Sequence, residues 1–592
     1  MNYLDLIKKE ISRSLGENIN FTVDLPELAH GDVTSNICLV AAKALGKSPQ
    51  EVFALLLPLL TSPYKGEGLN AIVEKIEFKN PGFINFWLKK DFIRKGGKVE
   101  EENVFKNIIN YFLGNKENLY KTKYTGKKVL VEHTSVNLFK PFTIGHLMNN
   151  FVGEFLVRAS QSAGAMVNTC SFPSDISLGI AKAVYVIKQD GGIGQDIFKK
   201  SEEEIVKYLS SAYVRGVAQF KQWEEEGNDA KIKEVRNIAN NFYGNIESED
   251  LKIYNFAKEK NITYFYQMVA QLNSHMDKHF FESICGPEGM KIIEKNLGTV
   301  FTKSDGAIVY IPDEQRKDLN TLVFVNSDGN PTYEAKDVGL ISLKFKTFAP
   351  DFSLFVTDSE QVHRFKVILD AISKINSDWS RKSTHVLHGR MTFKGQKMSS
   401  RLGGVPTADE VIETILESVR EKSGERKIDD ATQREIALSA LRIAILRAKP
   451  GVNIDFDPEK ALSFEGDSGP YLCYTSARLH SLLQKGKENN LFPGCQLAHL
   501  GEEMNLERKI FQFDKVLQTT IDELAPQKLV TYLFELAGEF NHFYNSTKII
   551  HENAANRDDK FESEHYLYVV QKTLNVLVKG LHILGIKAPE KM

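Results

Sequence analysis

The 592-residue chain contains no apolar run approaching the length that crosses a bilayer, so no membrane-spanning helix is expected. Its five cysteines, at positions 38, 170, 285, 473 and 495, stand far apart, with no Cys-x-x-Cys pair and no histidine cluster beside them. That spacing argues against a zinc site or a disulfide framework and suits a reducing cytosol. An excess of either charge is also missing. The net charge is −2, so overall charge identifies no partner and a nucleic-acid surface has to be a local patch. No internal repeat or low-complexity tract interrupts the chain.

The composition, 42% hydrophobic and 26% charged, is that of a globular protein long enough for two to four domains. Leu4, Ile7, Ile11 and Leu15 recur at helical spacing, which predicts a folded amphipathic helix and not a signal peptide. Residues 1–100 read as a small α+β domain in which AIVEKIEF and FINFWL form strands around the Asn80-Pro81-Gly82 turn. Lys79, Lys89, Lys90, Arg94, Lys95 and Lys98 surround the second strand, with Phe83, Phe86 and Trp87 among them. This interleaving suits a nucleic-acid backbone with exposed bases, and equally a solvated edge strand with core aromatics. Residues 101–125 read as a lysine-rich linker.

The most informative stretch is Val129 to Asn150, VLVEHTSVNLFKPFTIGHLMNN. Val129, Leu130 and Val131 form a buried-strand run, and the polar segment up to Pro141 predicts a turn. Leu147, Phe151 and Phe155 then recur every four residues, so a helix opens near Thr143 to Gly145. In an open parallel sheet a ligand sits beyond the carboxyl ends of the strands, where a helix amino terminus offers N–H groups to an anion. Gly145 would let a phosphate approach closely, with Lys140 and His146 as donors; the same residues also suit an ordinary turn with solvated side chains.

Strand and helix patterns continue. SFPSDISLGIAK puts Asp175 on the loop after a second strand, and residues 188–300 read as a charged helical insertion between the halves of the sheet. GAIVYIP, TLVFV and FSLFVTDSE then read as strands of the resumed parallel sheet. Thr407 and Glu410 have capping-box spacing before Val411, Ile415 and Val419, so a helix starts there after a basic, glycine-bearing loop. The α/β region spans 126–428. Residues 429–592 read as an all-helical bundle, with stripes such as Leu529, Leu533, Leu536, Phe540 and Phe543.

Two loops taken together define a resemblance: KPFTIGHL at 140–147 and KMSSR at 397–401 are similar to the H-I-G-H and K-M-S-K-S signatures of class I aminoacyl-tRNA synthetases. VEHTSVN, SDGNPTYEAKDVGL, LSFEGDSGPYLCYTSARLHSLL and the closing LHILGIKAPEKM resemble the arginyl-tRNA synthetase family over nearly the whole chain. The resemblance implies a Rossmann-type α/β catalytic domain, an amino-terminal tRNA-binding domain and a carboxyl-terminal anticodon-binding bundle. It also implies arginine, ATP with Mg2+ and tRNA(Arg) as ligands, no membrane, a cytoplasmic location and a monomer.

For the site, the resemblance implies Lys140, His146 and Lys397 as catalytic residues, with Thr143, Gly145, His146, Lys397, Ser399 and Ser400 around ATP. It implies Glu132, Asn137, Tyr333, Asp337 and Gln361 around arginine, whose guanidinium calls for carboxylates. No protein-bound metal is implied. The attacking carboxylate is already ionised at neutral pH, so no general base is needed. Thr143 departs from the family, which has histidine there, and Met148 stands where arginine is usual; Arg401 falls near the loop motif's second basic position. Thr143 keeps a second reading open, a paralogue that binds tRNA or arginine without charging.

Overall fold

The computed structural model describes residues 3–15, 19–61, 69, 72–94, 122–393, 406–423, 428–463, 466–494, 503–552 and 557–592. Its centre is a five-stranded, all-parallel sheet. In spatial order the strands are Ser383–His388, Phe352–Asp358, Lys128–Glu132, Met166–Ser171 and Lys278–His279. Numbered along the chain this is 5-4-1-2-3, the doubly wound order, and its switch point falls between Lys128–Glu132 and Phe352–Asp358. Val129, Leu130 and Val131 are buried as the apolar run predicts, and the helix after the turn is Ile144–Ser162 with Leu147, Phe151 and Phe155 in the core.

Two strand assignments change. GAIVYIP and TLVFV do not join the parallel sheet: Phe301–Ser304, Ala307–Tyr310 and Leu322–Val325 form a separate antiparallel sheet. The cause is visible locally. Asp305 and Gly306 both have positive φ, 49° and 80°, and a two-residue Asp-Gly link between strands makes a hairpin. Only FSLFVTD returns to the parallel sheet. The third sheet strand, Lys278–His279, lies inside the 188–300 stretch read as helical; it is a two-residue edge strand. The helices Glu202–Glu226, Asp229–Gly244 and Glu249–Gln271 therefore sit between the second and third strands, within one half of the fold.

The amino-terminal region has the two strands read from the sequence, Val73–Lys79 and Phe83–Leu88, paired antiparallel. Phe83–Leu88 is interior, because Val33–Ser35 pairs along its other side. Phe86 is buried in the core, and Lys75 Nζ lies 4.8 Å from the Trp87 ring. Arg94 is not part of a free basic patch. Its buried guanidinium bridges Glu503 at 3.1 Å and Glu507 at 3.0 Å, while Asp32 meets Arg508 at 3.1 Å. These pairs tie the amino-terminal region to the carboxyl-terminal helices. The predicted leucine and phenylalanine stripe is buried in the helix Pro526–Ser546. A strand, Ile454–Phe456, pairs with Met391–Phe393, so the region after 430 is not wholly helical.

Candidate active site at the strand ends

The loop from His133 to Phe142 carries two non-glycine residues with positive φ, Thr134 at 57° and Phe139 at 61°. Such backbone persists when surrounding bonds hold it. Here they do: Asn149 Oδ1 accepts the Thr134 N–H at 2.6 Å, and Asn261 Oδ1 accepts the Phe139 N–H at 2.5 Å. Asn149 also donates to Val356 O at 2.7 Å, linking the loop to the strand across the switch point. A Cβ at Gly153 would fall 2.2 Å from the His133 ring, so only glycine lets the helix lie against that imidazole.

At the helix start, the Thr143 N–H donates to His146 Nδ1 at 3.0 Å, and Thr143 Oγ1 lies 3.2 Å from the same nitrogen. A nitrogen that accepts an amide proton cannot carry one, so neutral His146 bears its proton on Nε2. Burial, followed by His388 and Lys140, pushes the His146 imidazole down to about 4, which keeps it neutral at physiological pH. Lys140 is exposed, its Nζ 4.7 Å from the Tyr213 ring on the insertion. Among the described residues, the one atom outside the helix backbone that a Cβ at Gly145 would meet within 4 Å is Thr143 Oγ1 at 3.6 Å. Lys397, Ser399, Ser400 and Arg401 lie outside the described residues, but the chain just after them is anchored here. Ile144 N–H donates to Pro406 O at 3.2 Å and Ala408 N–H to Phe142 O at 2.7 Å. The Thr407–Glu410 capping box forms as predicted.

The other side of the switch point is a set of buried carboxylates, each with its own cation. Glu132 accepts from Lys344 Nζ at 2.7 Å, Glu282 from Lys336 Nζ at 2.6 Å, and Asp175 from Lys258 Nζ at 2.6 Å. Asp337 accepts from Arg364 Nη2. Two helices bring Glu282, Lys336, Asp337 and Lys344 together: Glu282–Lys295 and Tyr333–Phe348 touch backbone to backbone, since a Cβ at Gly339 would fall 1.9 Å from Cys285 O and one at Gly289 1.9 Å from Ala335 O. Burial pushes the Asp337 carboxyl up to about 7, against the pull of Arg364 and with Glu132, Glu334 and Glu282 adding to the rise. Glu282 is raised for the same first reason, burial.

Tyr333 opens its helix 56% exposed, one turn before buried Asp337. Asn137 is exposed, its loop bridged to Ser174, and half-buried Gln361 ends a short turn before the helix Val362–Ile375. Met148 is a core residue. The sequence reading did not find Arg364, Lys344, Lys336 and Glu282 as members of this group. Their partners are remote in sequence, and no local pattern announces them.

A doubly wound parallel sheet with this loop and helix at its switch point is the frame of a class I synthetase. Comparison with known proteins agrees. Residues 108–457 match the family described as tRNA synthetases class I (R), catalytic domain. Residues 1–88 match the arginyl tRNA synthetase N terminal domain, and residues 472–592 the DALR anticodon binding domain. The chain belongs to the arginyl-tRNA synthetase family. It is 25% identical to the arginine-tRNA ligase of Clostridium perfringens, with 100% of both chains covered. It is 28% identical to that of Saccharolobus solfataricus, covering 90% of this chain and 91% of the relative. The Thermus thermophilus arginyl-tRNA synthetase structure matches over 100% of both chains with a TM-score of 0.77 and 24% identity, and so shares the fold.

Proposed function

We propose that the strand ends activate arginine with ATP to arginyl-adenylate, and that the chain then transfers arginine to tRNA(Arg). The observation that carries this reading is the group of buried carboxylates, Glu132 and Asp337 foremost, in the same parallel-sheet domain as the helix start at Thr143 to His146 that follows the first strand. Arginine's guanidinium is a planar, permanently charged fork that suits carboxylates. Tyr333, Asn137 and Gln361 would complete its surroundings. On the nucleotide side, the His146 Nε2–H, Lys140, and Lys397 with Ser399 and Ser400 would hold the phosphates, with Thr143 contributing its hydroxyl.

The substrate carboxylate is itself the nucleophile, so these residues act by alignment and by stabilising charge as it moves onto pyrophosphate. Magnesium would arrive on the nucleotide. Glu132, Asp337, Glu282 and Asp175 are each matched by a lysine or arginine, so the described carboxylates at the strand ends do not suit a protein-held ion. We assign the amino-terminal region and the helical bundle to tRNA, a monomer as the working unit, and the cytosol as the compartment, the last on cysteine spacing. Among the described residues no helix is long and apolar enough to cross a membrane. No observation favours the binding-only paralogue.

The test is ATP-pyrophosphate exchange with arginine, lysine and glutamate, with and without tRNA. Exchange that depends on arginine alone is expected. No exchange under any of these conditions would sink the enzyme reading.

A further inference from the structure

If Asp337 is where the substrate's guanidinium binds, as proposed above, that place is already taken by a guanidinium of the chain itself. Arg364, in the first turn of Val362–Ile375, ion-pairs with Asp337. Each of the four buried carboxylates at this side of the switch point is paired with a cation, and half-buried Glu334 lies near Asp337 as a fifth carboxylate. A guanidinium entering at Asp337 therefore meets Arg364 there.

The four differ in how they are held. The Lys344 side chain is 1% exposed and that of Lys336 is 6% exposed. Lys258 is 21% exposed, but its partner Asp175 is also held by the Ser283 N–H at 2.9 Å and the Ser283 hydroxyl at 2.6 Å. Arg364 is 25% exposed, and only its Nη2 reaches the carboxylate. Its Nε is buried with no hydrogen-bond partner among the described residues, so the fork is engaged by one prong there and not in the two-bond manner that makes arginine-carboxylate pairs strong. Of the four, Arg364 is the most exposed and engages its carboxylate through a single guanidinium nitrogen, its Cζ lying 4.8 Å from the Phe365 ring.

We infer that Arg364 is an internal stand-in for the substrate, neutralising Asp337 while the amino-acid pocket is empty and releasing it when arginine enters. The stand-in has a physical use. A buried carboxylate left with no cation is costly, so Arg364 stabilises the empty pocket until a ligand guanidinium replaces it. The groups around Asp337 are Arg364, Glu132 with Lys344, Glu334, and Glu282 with Lys336; Arg364 is the cation that pulls its carboxyl most strongly toward ionisation, with Lys344 also within electrostatic reach. The cost of the arrangement is competition. Apparent affinity for arginine is reduced to the fraction of molecules in which Arg364 has let go.

The experiment is calorimetric titration of L-arginine into the full chain at pH 8.5, where Asp337 is ionised, for wild type, Arg364→Met, Arg364→Lys and Asp337→Asn. Arg364→Met removes the competitor and is expected to tighten binding about three- to tenfold. Arg364→Lys retains a cation opposite Asp337 and is expected to stay closer to wild type. Asp337→Asn is expected to remove most binding. Unchanged or weaker binding by Arg364→Met, with Asp337→Asn still deficient, overturns the inference and leaves the arginine assignment standing. Unchanged binding by Asp337→Asn overturns the assignment and the inference with it. A crystal structure of the wild type with arginine gives a check independent of variant folding. Arg364 is expected to have left Asp337, and Arg364 still paired there would overturn the inference.

Discussion

The two sides of the switch point are built on different physical plans. The side proposed for the nucleotide is half-exposed, and the donors it offers are backbone amides, a neutral imidazole and an exposed lysine. The side proposed for the amino acid is buried, and Glu132, Glu282, Asp175 and Asp337 are each paired with a lysine or arginine from another element. An open, weakly charged face suits a ligand that arrives with its own charge and counter-ion. A buried carboxylate group suits discrimination, because a ligand lacking the guanidinium charge leaves a carboxylate unmatched in a low-dielectric site.

Four measurements test that contrast. The largest effect is expected from Asp337→Asn, which preserves shape but removes the charge. A loss of about 2–4 kcal/mol in arginine binding is expected, the usual cost of truncating one partner of a desolvated charge pair. An arginine KM equal to wild type would remove Asp337 from the pocket. On the nucleotide side, His146→Ala deletes one preorganised neutral donor and should slow adenylation by about a hundredfold with little change in arginine KM. Pre-steady-state adenylation with tRNA present measures it.

Next comes pH. Burial raises the Asp337 carboxyl to about 7, and arginine needs it ionised, so the proton must leave before the ligand binds. Affinity should therefore strengthen as pH rises through about 7 and fall by about tenfold on going from pH 8 to 6. His146, held neutral down to about 4, should add no slope in that window. A flat arginine-binding profile between pH 6 and 8 would contradict the Asp337 half of this statement. The smallest effect is expected from Thr143→Val, which loses one neutral hydroxyl contact beside His146. About 0.5–1.5 kcal/mol, or a few-fold to about tenfold in adenylation rate, is the expected loss. A hundredfold loss would instead make Thr143 a principal phosphate donor.

The same contrast decides what could be read from the sequence. The nucleotide side is a local device. Strand, turn and helix lie within Val129–Asn150, and the helix stripe, the turn-closing Pro141 and the Thr143 start were all legible. The amino-acid side is assembled from residues that meet only in the fold. Glu132 and Lys344 are 212 residues apart, and Glu282 and Lys336 are 54 apart. Family resemblance pointed to Glu132 and Asp337, but their cations were invisible, because a lysine or arginine inside a helix looks the same whether it faces water or a buried carboxylate. Sheet membership failed for a related reason. An apolar run announces a strand but not its partner, and the Asp305-Gly306 hairpin was the signal that should have separated Ala307–Tyr310 from the parallel sheet.

The hydrogen bond from the Lys128 N–H to the Asp351 carboxylate, 223 residues later, bears on how the chain comes into being. The first strand of the sheet has its fourth as one neighbour, so during synthesis it emerges long before that partner exists. Until Phe352–Asp358 leaves the ribosome, one edge of Lys128–Glu132 is unpaired and apolar, a condition that favours aggregation in slow-folding parallel sheets. Chain made from 122 to about 350 is therefore expected to be the period of greatest dependence on chaperones, and truncations ending before 352 to be insoluble.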